Sequence, residues 1–251
     1  MEIFNYKKIN KLEYINNKPF PHIQLDNCWE NLLLKQCNED IYKFNKWEGE
    51  KKFFGSREKK YSSNYHQFSD SVKKVIDELY STKFIDWLTS FTNEKQLIID
   101  PNLGGGGIHS IGKGGFLKIH ADPNWNTQLK LYRRLNVLVY LNENWQEKWG
   151  GHLELWTKNM ERCETKIIPI FNKTAIFTTD DFSYHGHPDP LKCPVDIRRN
   201  TIAVYFYSPI KPQKGFVSKR SDEKTANYKE RNPGDFSKES LIKRIWNKIK
   251  L

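Results

Sequence analysis

The 251-residue chain has only four cysteines, and no two of them form a C-x-x-C pair. Cys28, Cys37, Cys163 and Cys193 lie far apart, which excludes a zinc knuckle or a dense disulfide frame and predicts reduced, mostly packing thiols. There is no run of about 18 apolar residues, so no membrane-spanning helix is predicted. The opening "MEIFNYKKINKLEYINN" lacks the apolar stretch and small-residue cleavage site of a secretory signal. These absences together predict a cytoplasmic protein. No internal repeat and no nucleic-acid-binding module is visible.

What is present is enough for one large domain with extensions. Aromatics make up 14% of the residues, so large side chains for a core are not scarce. The formal net charge is +11, but it is uneven. Residues 211–251 hold twelve Lys and Arg against five Asp and Glu, and so carry seven of the eleven surplus positive charges. A Lys- and Asn-rich composition accounts for the rest without any partner. An anionic partner or membrane surface is allowed through this tail. Nucleic acid is not supported, because Tyr228 and Trp246 are too few aromatics among the basic residues.

The chain divides into three parts. Residues 1–95 are helix-rich and are expected to pack on the core. "KPFPHIQLDN" is extended, since Pro19 and Pro21 block a helix. "CWENLLLKQCNEDIYKF" predicts a helix capped by Asn27, and "KWEGEKKFFGSREKKYSS" a charged connector. Val72, Val75, Ile76, Leu79, Phe84, Trp87 and Leu88 predict two helices on one face of the core. Residues 96–210 change period. "QLIID", "GGIHSI", "GFLKIHAD", "RLNVLVYLN", "GHLELW", "TKIIPI", "KTAIFTT" and "NTIAVYFYS" are short, apolar and separated by turn residues, the pattern of a β-sandwich or barrel. Residues 211–251 predict a loose basic tail. Its end places Leu241, Ile242, Ile245, Trp246 and Ile249 on one face of an amphipathic helix that could lie on a membrane or partner, or fold back on its own domain.

"GGGGIHSIGKGGFLKIHAD" poses a choice. Gly107 to Lys113 fits the start of a P-loop, but Gly114 stands where the magnesium-binding Ser or Thr belongs. The stretch also lies between strands, so no helix N-terminus would face a phosphate. His120 and Asp122 form a His-x-Asp. In a strand, residues i and i+2 face one side, so both can point into a barrel mouth. "FTTDDFSYHGHPDP" offers His185 or His187 as a third ligand after the strand "KTAIFTT". Two His and one carboxylate, without thiolate, leave coordination positions open and suit non-haem Fe(II).

"GGFLKIHAD", "RRLNVLVYLNENWQEKWGGHLELW" and "SYHGHPDP…RRNTIAVYFYS" together resemble the prolyl 4-hydroxylase-like branch of the Fe(II)/2-oxoglutarate-dependent dioxygenases, over about residues 100–208. The resemblance implies a mainly β chain with flanking helices and a double-stranded β-helix (jelly-roll, cupin-like) core. It implies Fe(II), 2-oxoglutarate and dioxygen, with ascorbate allowed as an accessory. His120, Asp122 and His185 match the iron ligands, and His187 is the rival for the third. Arg199 matches the residue that grips the distal carboxylate of 2-oxoglutarate. Tyr140 matches a position that also reaches this carboxylate, and Asn136 and Leu153 align with other pocket positions. Arg198 has the opposite parity and is expected to point away.

Other residues carry less. His152 is expected outside the pocket. His109 suits the substrate mouth or a structural role, Asp180 and Asp181 suit turn capping or solvation, and Trp125 suits a wall of the substrate cleft. The implied activity is hydroxylation of an unactivated C–H bond with release of succinate and CO2. A prolyl or other residue of a protein or peptide is the first substrate class. Small-molecule or glycan tailoring comes next, and a non-catalytic metal-binding module acting through its basic tail is the contrasting reading.

Overall fold

The computed structural model describes residues 2–221 and 226–232. Four helices come early: α1 (Lys11–Asn16), α2 (Asn31–Lys43), α3 (Asp70–Leu79) and α4 (Thr82–Thr92). The strands are β1 (His22–Asp26), β2 (Gly49–Phe53), β3 (Ser56–Ser62), β4 (Ile98–Ile99), β5 (Gly107–Ala121), β6 (Trp125–Asn126), β7 (Leu131–Tyr140), β8 (Leu153–Trp156), β9 (Cys163–Ile167), β10 (Lys173–Thr178), β11 (His185–His187), β12 (Arg199–Ser208) and β13 (Asn227–Tyr228). They pair antiparallel in the order β1-β10-β7-β12-β5-β11-β8-β9, with β3 and β13 on β5, β4 on β12 and β6 on β7. The sheet curls into a nearly closed jelly-roll barrel with flanking helices, the mainly β fold class that the strand pattern and the resemblance imply.

Strand alternation sorts the residues. Leu135, Val137 and Val139 of β7 and Ile202, Val204 and Phe206 of β12 face outward and bury against the helices. The helices answer with Leu34, Ile41, Val75, Ile76, Leu79, Phe84 and Leu88. Ser69 and Ser81 start α3 and α4 by accepting from Val72 N and Phe84 N. The alternate positions of β7 and β12, among them Asn136, Arg199 and Thr201, turn the other way into a cavity.

Four expectations need correction. Asn27 does not cap α2. It has a left-handed φ of 53°, and Glu30 caps the helix by accepting from Leu32 N and Leu33 N at 2.9 and 2.6 Å. Trp29 is tied to β10 by a bond from its indole to Thr174 Oγ1, so the helix begins only after it. "GGIHSI" and "GFLKIHAD" are one strand, β5, which stays continuous because Gly114 takes a φ of +77° where the chain bends. The first part of β5 pairs with β12, and its last part with β11. The charged connector is the hairpin β2–β3, turned at Phe54-Gly55 and paired to β5.

The fourth correction concerns the tail. Its described residues are docked on the core. Asp181, buried and not solvated, accepts from Asn124 Nδ2 (2.6 Å), Arg220 Nε (2.9 Å) and Val217 N (2.5 Å). Ser221 bridges to Trp125, and β13 pairs with the end of β5. The amphipathic stretch 241–249 lies outside the described residues. Asp181→Ala would leave a partly buried guanidinium and a backbone N–H without their acceptor. The expected loss is about 2–3 kcal/mol, seen as a lower urea midpoint with the slope unchanged. An unchanged midpoint would show that these bonds do not hold the tail.

Candidate active site

The Gly107–Lys113 stretch lies inside β5 with β12 and β3 on either side, so no helix N-terminus is available and a P-loop is excluded. The other end of β5 is where titratable groups converge. His120 and His185 face each other across the β5–β11 pairing, with ring centroids 4.6 Å apart. Each places Nδ1 on a backbone carbonyl, Lys118 O at 2.7 Å and Ser183 O at 2.8 Å. A carbonyl can only accept, so Nδ1 carries a proton and Nε2 is the nitrogen left to face a metal. The Nε2 atoms lie 3.4 and 3.5 Å from the two Asp122 carboxylate oxygens. Ligand atoms of His120, Asp122 and His185 all lie within 4.8 Å of one another. Two imidazole lone pairs and a carboxylate, held in place from behind, fit a divalent cation of intermediate hardness.

Asp122 is itself held. Its Oδ2 accepts from Asn136 Nδ2 at 2.7 Å and meets Arg133 Nη2 at 3.0 Å, and Arg133 Nε donates to Asn136 Oδ1 at 3.0 Å. Burial alone would raise this carboxyl, but the Arg133 guanidinium and the two imidazoles outweigh it and hold the group well below the usual carboxylate range. Burial pushes His185 down to about 4, so its imidazole is neutral and available as a ligand at neutral pH.

Arg199 stands on the inward face of β12, buried, with Nε on Gly151 O at 2.9 Å and Nη2 3.4 Å from the Tyr140 hydroxyl. It makes no ion pair with a carboxylate among the described residues. A buried, unneutralised guanidinium beside a metal site fits an anionic ligand that presents a carboxylate. Gly151 has a φ of 77°, and a Cβ there would stand 3.1 Å from Arg199 Cδ. Gly151 therefore leaves the room that the Arg199 side chain occupies. Tyr140 is fully buried behind Arg199, and Leu153 is a wall of the cavity. Asn136 reaches Asp122 and Arg133, not Arg199.

His187 points into the same cavity but stays outside the three-residue cluster. Both of its ring nitrogens are buried without a hydrogen-bond partner, and burial with Arg199 nearby pushes it well below the usual imidazole range. Arg198 points away, bonding Ser110 and Glu58 O. His152 lies outside, 3.6 Å from Glu147. His109 lines the cavity and its Nε2 meets Gly105 O. Trp125 is not a cavity wall: Lys219 of the tail covers its ring at 3.4 Å.

The cavity is about 540 Å³, and several of its walls lie outside the stretches that drew attention in the sequence. Lys51, Phe53 and Lys59 come from the hairpin, and Tyr228 from the tail. Tyr228 pairs opposite His120, with the two rings 5.3 Å apart. The available signal for the hairpin was Gly55 between two short stretches, but their lysines and glutamates gave no apolar alternation to mark them as strands.

Residues 106–207 match the family model described as the 2OG-Fe(II) oxygenase superfamily. No curated protein matches the sequence. Among solved structures, the chain is similar to a Trichoplax adhaerens prolyl hydroxylase in complex with a hypoxia inducible factor oxygen degradation domain peptide fragment. The identity is 16%, the TM-score 0.57, and the match covers 79% of this chain and 89% of the other. A Pseudomonas putida prolyl-4-hydroxylase matches at 12% identity and TM-score 0.52, covering 74% and 92%. HygX from Streptomyces hygroscopicus, with nickel, 2-oxoglutarate and hygromycin B bound, matches at 8% and 0.51, covering 74% and 82%. At these identities the likeness is one of fold.

Proposed function

We propose that this chain, whose core belongs to the 2OG-Fe(II) oxygenase superfamily, hydroxylates a prolyl or other residue of a protein or peptide. The enzyme class is that of a 2-oxoglutarate-dependent Fe(II) dioxygenase of the prolyl 4-hydroxylase-like branch. The observation that carries the reading is the convergence of His120, Asp122 and His185 in one cavity with Arg199. When bound, Fe(II) with 2-oxoglutarate and dioxygen supplies the oxidation of an unactivated C–H bond, with loss of CO2 and release of succinate. In this reading His120, Asp122 and His185 hold the metal. Asn136 and Arg133 aim the carboxylate, and the Lys118 and Ser183 carbonyls aim the imidazoles. Arg199, steadied by Tyr140 and Gly151, would hold the distal carboxylate of 2-oxoglutarate. Leu153 keeps water from that side.

The peptide substrate is supported by the resemblance to the prolyl 4-hydroxylase-like branch. Small-molecule or glycan tailoring is the second reading, supported by a cavity volume within the range that holds small ligands and by the shared fold of HygX. Residues 96–210 form the oxygenase unit in this proposal, with 1–95 as its support. All four cysteines are free, which suits a cytoplasmic setting. No helix among the described residues is long and apolar enough to cross a membrane.

The test is an anaerobic titration with Fe(II) and 2-oxoglutarate followed in the visible range. A metal-to-ligand charge-transfer band is expected in the wild type and in His187→Ala, and not in His120→Ala or His185→Ala. Fe(II)-dependent succinate release in a peptide panel and a small-molecule panel then separates the substrate readings. Loss of the band in His187→Ala with retention in His185→Ala would exchange their roles. No band and no 2-oxoglutarate binding would overturn the proposal.

A further inference from the structure

One row of side chains crosses the sheet above the metal site. Lys51 pairs opposite Lys59, Lys59 opposite Ile111, and Ile111 opposite Arg199. All four line the cavity. With strands about 4.8 Å apart, the Lys59 backbone stands roughly 10 Å from that of Arg199, and Lys51 one strand further. The Arg199 guanidinium turns away from them, toward Tyr140 and Gly151. The row therefore has two separate cationic poles, one at Arg199 and one on the hairpin.

Among the described residues the hairpin pole lacks a counter-charge. Lys59 is only 8% exposed, yet its ammonium makes no hydrogen bond or ion pair among the described residues. Lys51 lies over the Tyr61 ring, 5.6 Å from its centroid, and has no carboxylate partner among the described residues either. Burial, followed by the charge of Lys51, pushes the Lys59 amine down to about 7. Four cationic side chains line the cavity (Lys51, Lys59, Arg133 and Arg199), against two carboxylates, Asp100 and Asp122. Asp122 is taken by Arg133 and the imidazoles. Asp100 accepts from Asn102 N and Gly104 N in its own turn. A divalent metal and dianionic 2-oxoglutarate cancel each other, so the surplus that remains corresponds to the two lysines. Both lysine side chains line the cavity, where a bound anion would meet them with less screening than at an open surface.

We propose that Lys59, with Lys51 beside it, forms a subsite for an oxyanion, carboxylate or phosphate, carried by the substrate. The enzyme thereby selects acidic substrates. This rests on the oxygenase reading above, because it assigns Arg199 to the co-substrate and the lysines to what is oxidised.

The full chain, loaded anaerobically with Fe(II), is first titrated with 2-oxoglutarate. The ternary complex is then titrated by calorimetry with two matched pairs of probes. One pair is a short prolyl peptide flanked by glutamates and the same peptide flanked by glutamines. The other is glucose 6-phosphate and glucose. In at least one pair the anionic member is expected to bind about tenfold tighter or more, and Lys59→Gln and Lys51→Gln should each reduce that ratio several-fold. Lys59→Arg should retain most of it, and 2-oxoglutarate affinity should stay within about twofold, which also reports that the variants fold. Discrimination in the peptide pair alone assigns the anion to acidic side chains, and in the sugar pair alone to a phosphate. No discrimination by the wild type, including no binding of any probe, overturns the subsite. So does discrimination that survives both Gln variants. A tenfold loss of 2-oxoglutarate affinity in Lys59→Gln overturns it by moving Lys59 to the co-substrate. A wild type that binds no 2-oxoglutarate overturns the oxygenase reading itself, and with it the subsite.

Discussion

Asp122→Ala is expected to abolish Fe(II)-dependent succinate formation and to lower metal affinity more than either histidine substitution. Asp122 is the anionic donor of the cluster, while the other two donors are imidazoles. Its removal has a second consequence. Arg133, 3.0 Å from the carboxylate and buried, keeps its charge when Asp122 is removed. An incoming cation would then meet a guanidinium where it had met a carboxylate, so attraction becomes repulsion in a region of low dielectric. Asp122→Asn keeps the shape but not the charge, and is expected to fail nearly as completely. Metal binding is measured anaerobically by calorimetry, and succinate separately. Wild-type succinate yield from Asp122→Ala would remove the metal assignment altogether.

Arg199→Met is expected to weaken 2-oxoglutarate binding by about 100-fold or more while leaving metal affinity nearly unchanged. Two charge-assisted hydrogen bonds are lost, each worth about 1.5–3 kcal/mol, and 1.4 kcal/mol corresponds to a tenfold change. Met keeps most of the volume, so Leu191, which meets the same Gly151 position, needs little repacking. Arg199→Lys restores the charge but not the fork, and should recover only part of the loss. A 2-oxoglutarate affinity unchanged in Arg199→Met would mean that the distal carboxylate is held elsewhere. Lys59, two strands along the same row, would be the next cation to test.

These two predictions draw on residues that local pattern already brings forward. His120 and Asp122 share a parity, and His185 and Arg199 follow at a spacing that the resemblance makes specific. The alternation of β7 and β12 separates helix-facing Val137, Val139 and Val204 from cavity-facing Asn136 and Thr201. The two helices of residues 70–92 are likewise legible, because apolar residues recur at helical spacing after a capping serine. Asn136 is a different case. Nothing in its strand says that it will bridge Arg133 and Asp122, because that contact joins residues of β7 to the end of β5.

By itself, then, the sequence pointed to the strand-rich class of residues 96–210, to the shared parity of His120 with Asp122 and the opposite parity of Arg198 and Arg199, and to a short set of His, Asp and Arg residues with the chemistry to converge. These properties repeat with the period of a strand or helix and need only near neighbours. The tertiary structure alone decided that β5 runs unbroken through its glycines and that a lysine-rich connector is a hairpin in the sheet. It also decided that Asp181 gathers the tail, that Tyr228 faces His120, and that Lys59 is buried beside the site with no ion-pair partner among the described residues. Each of these depends on pairing between segments far apart in the chain. Such pairing is set by which edges and donors the folded core leaves open, and no local period records it.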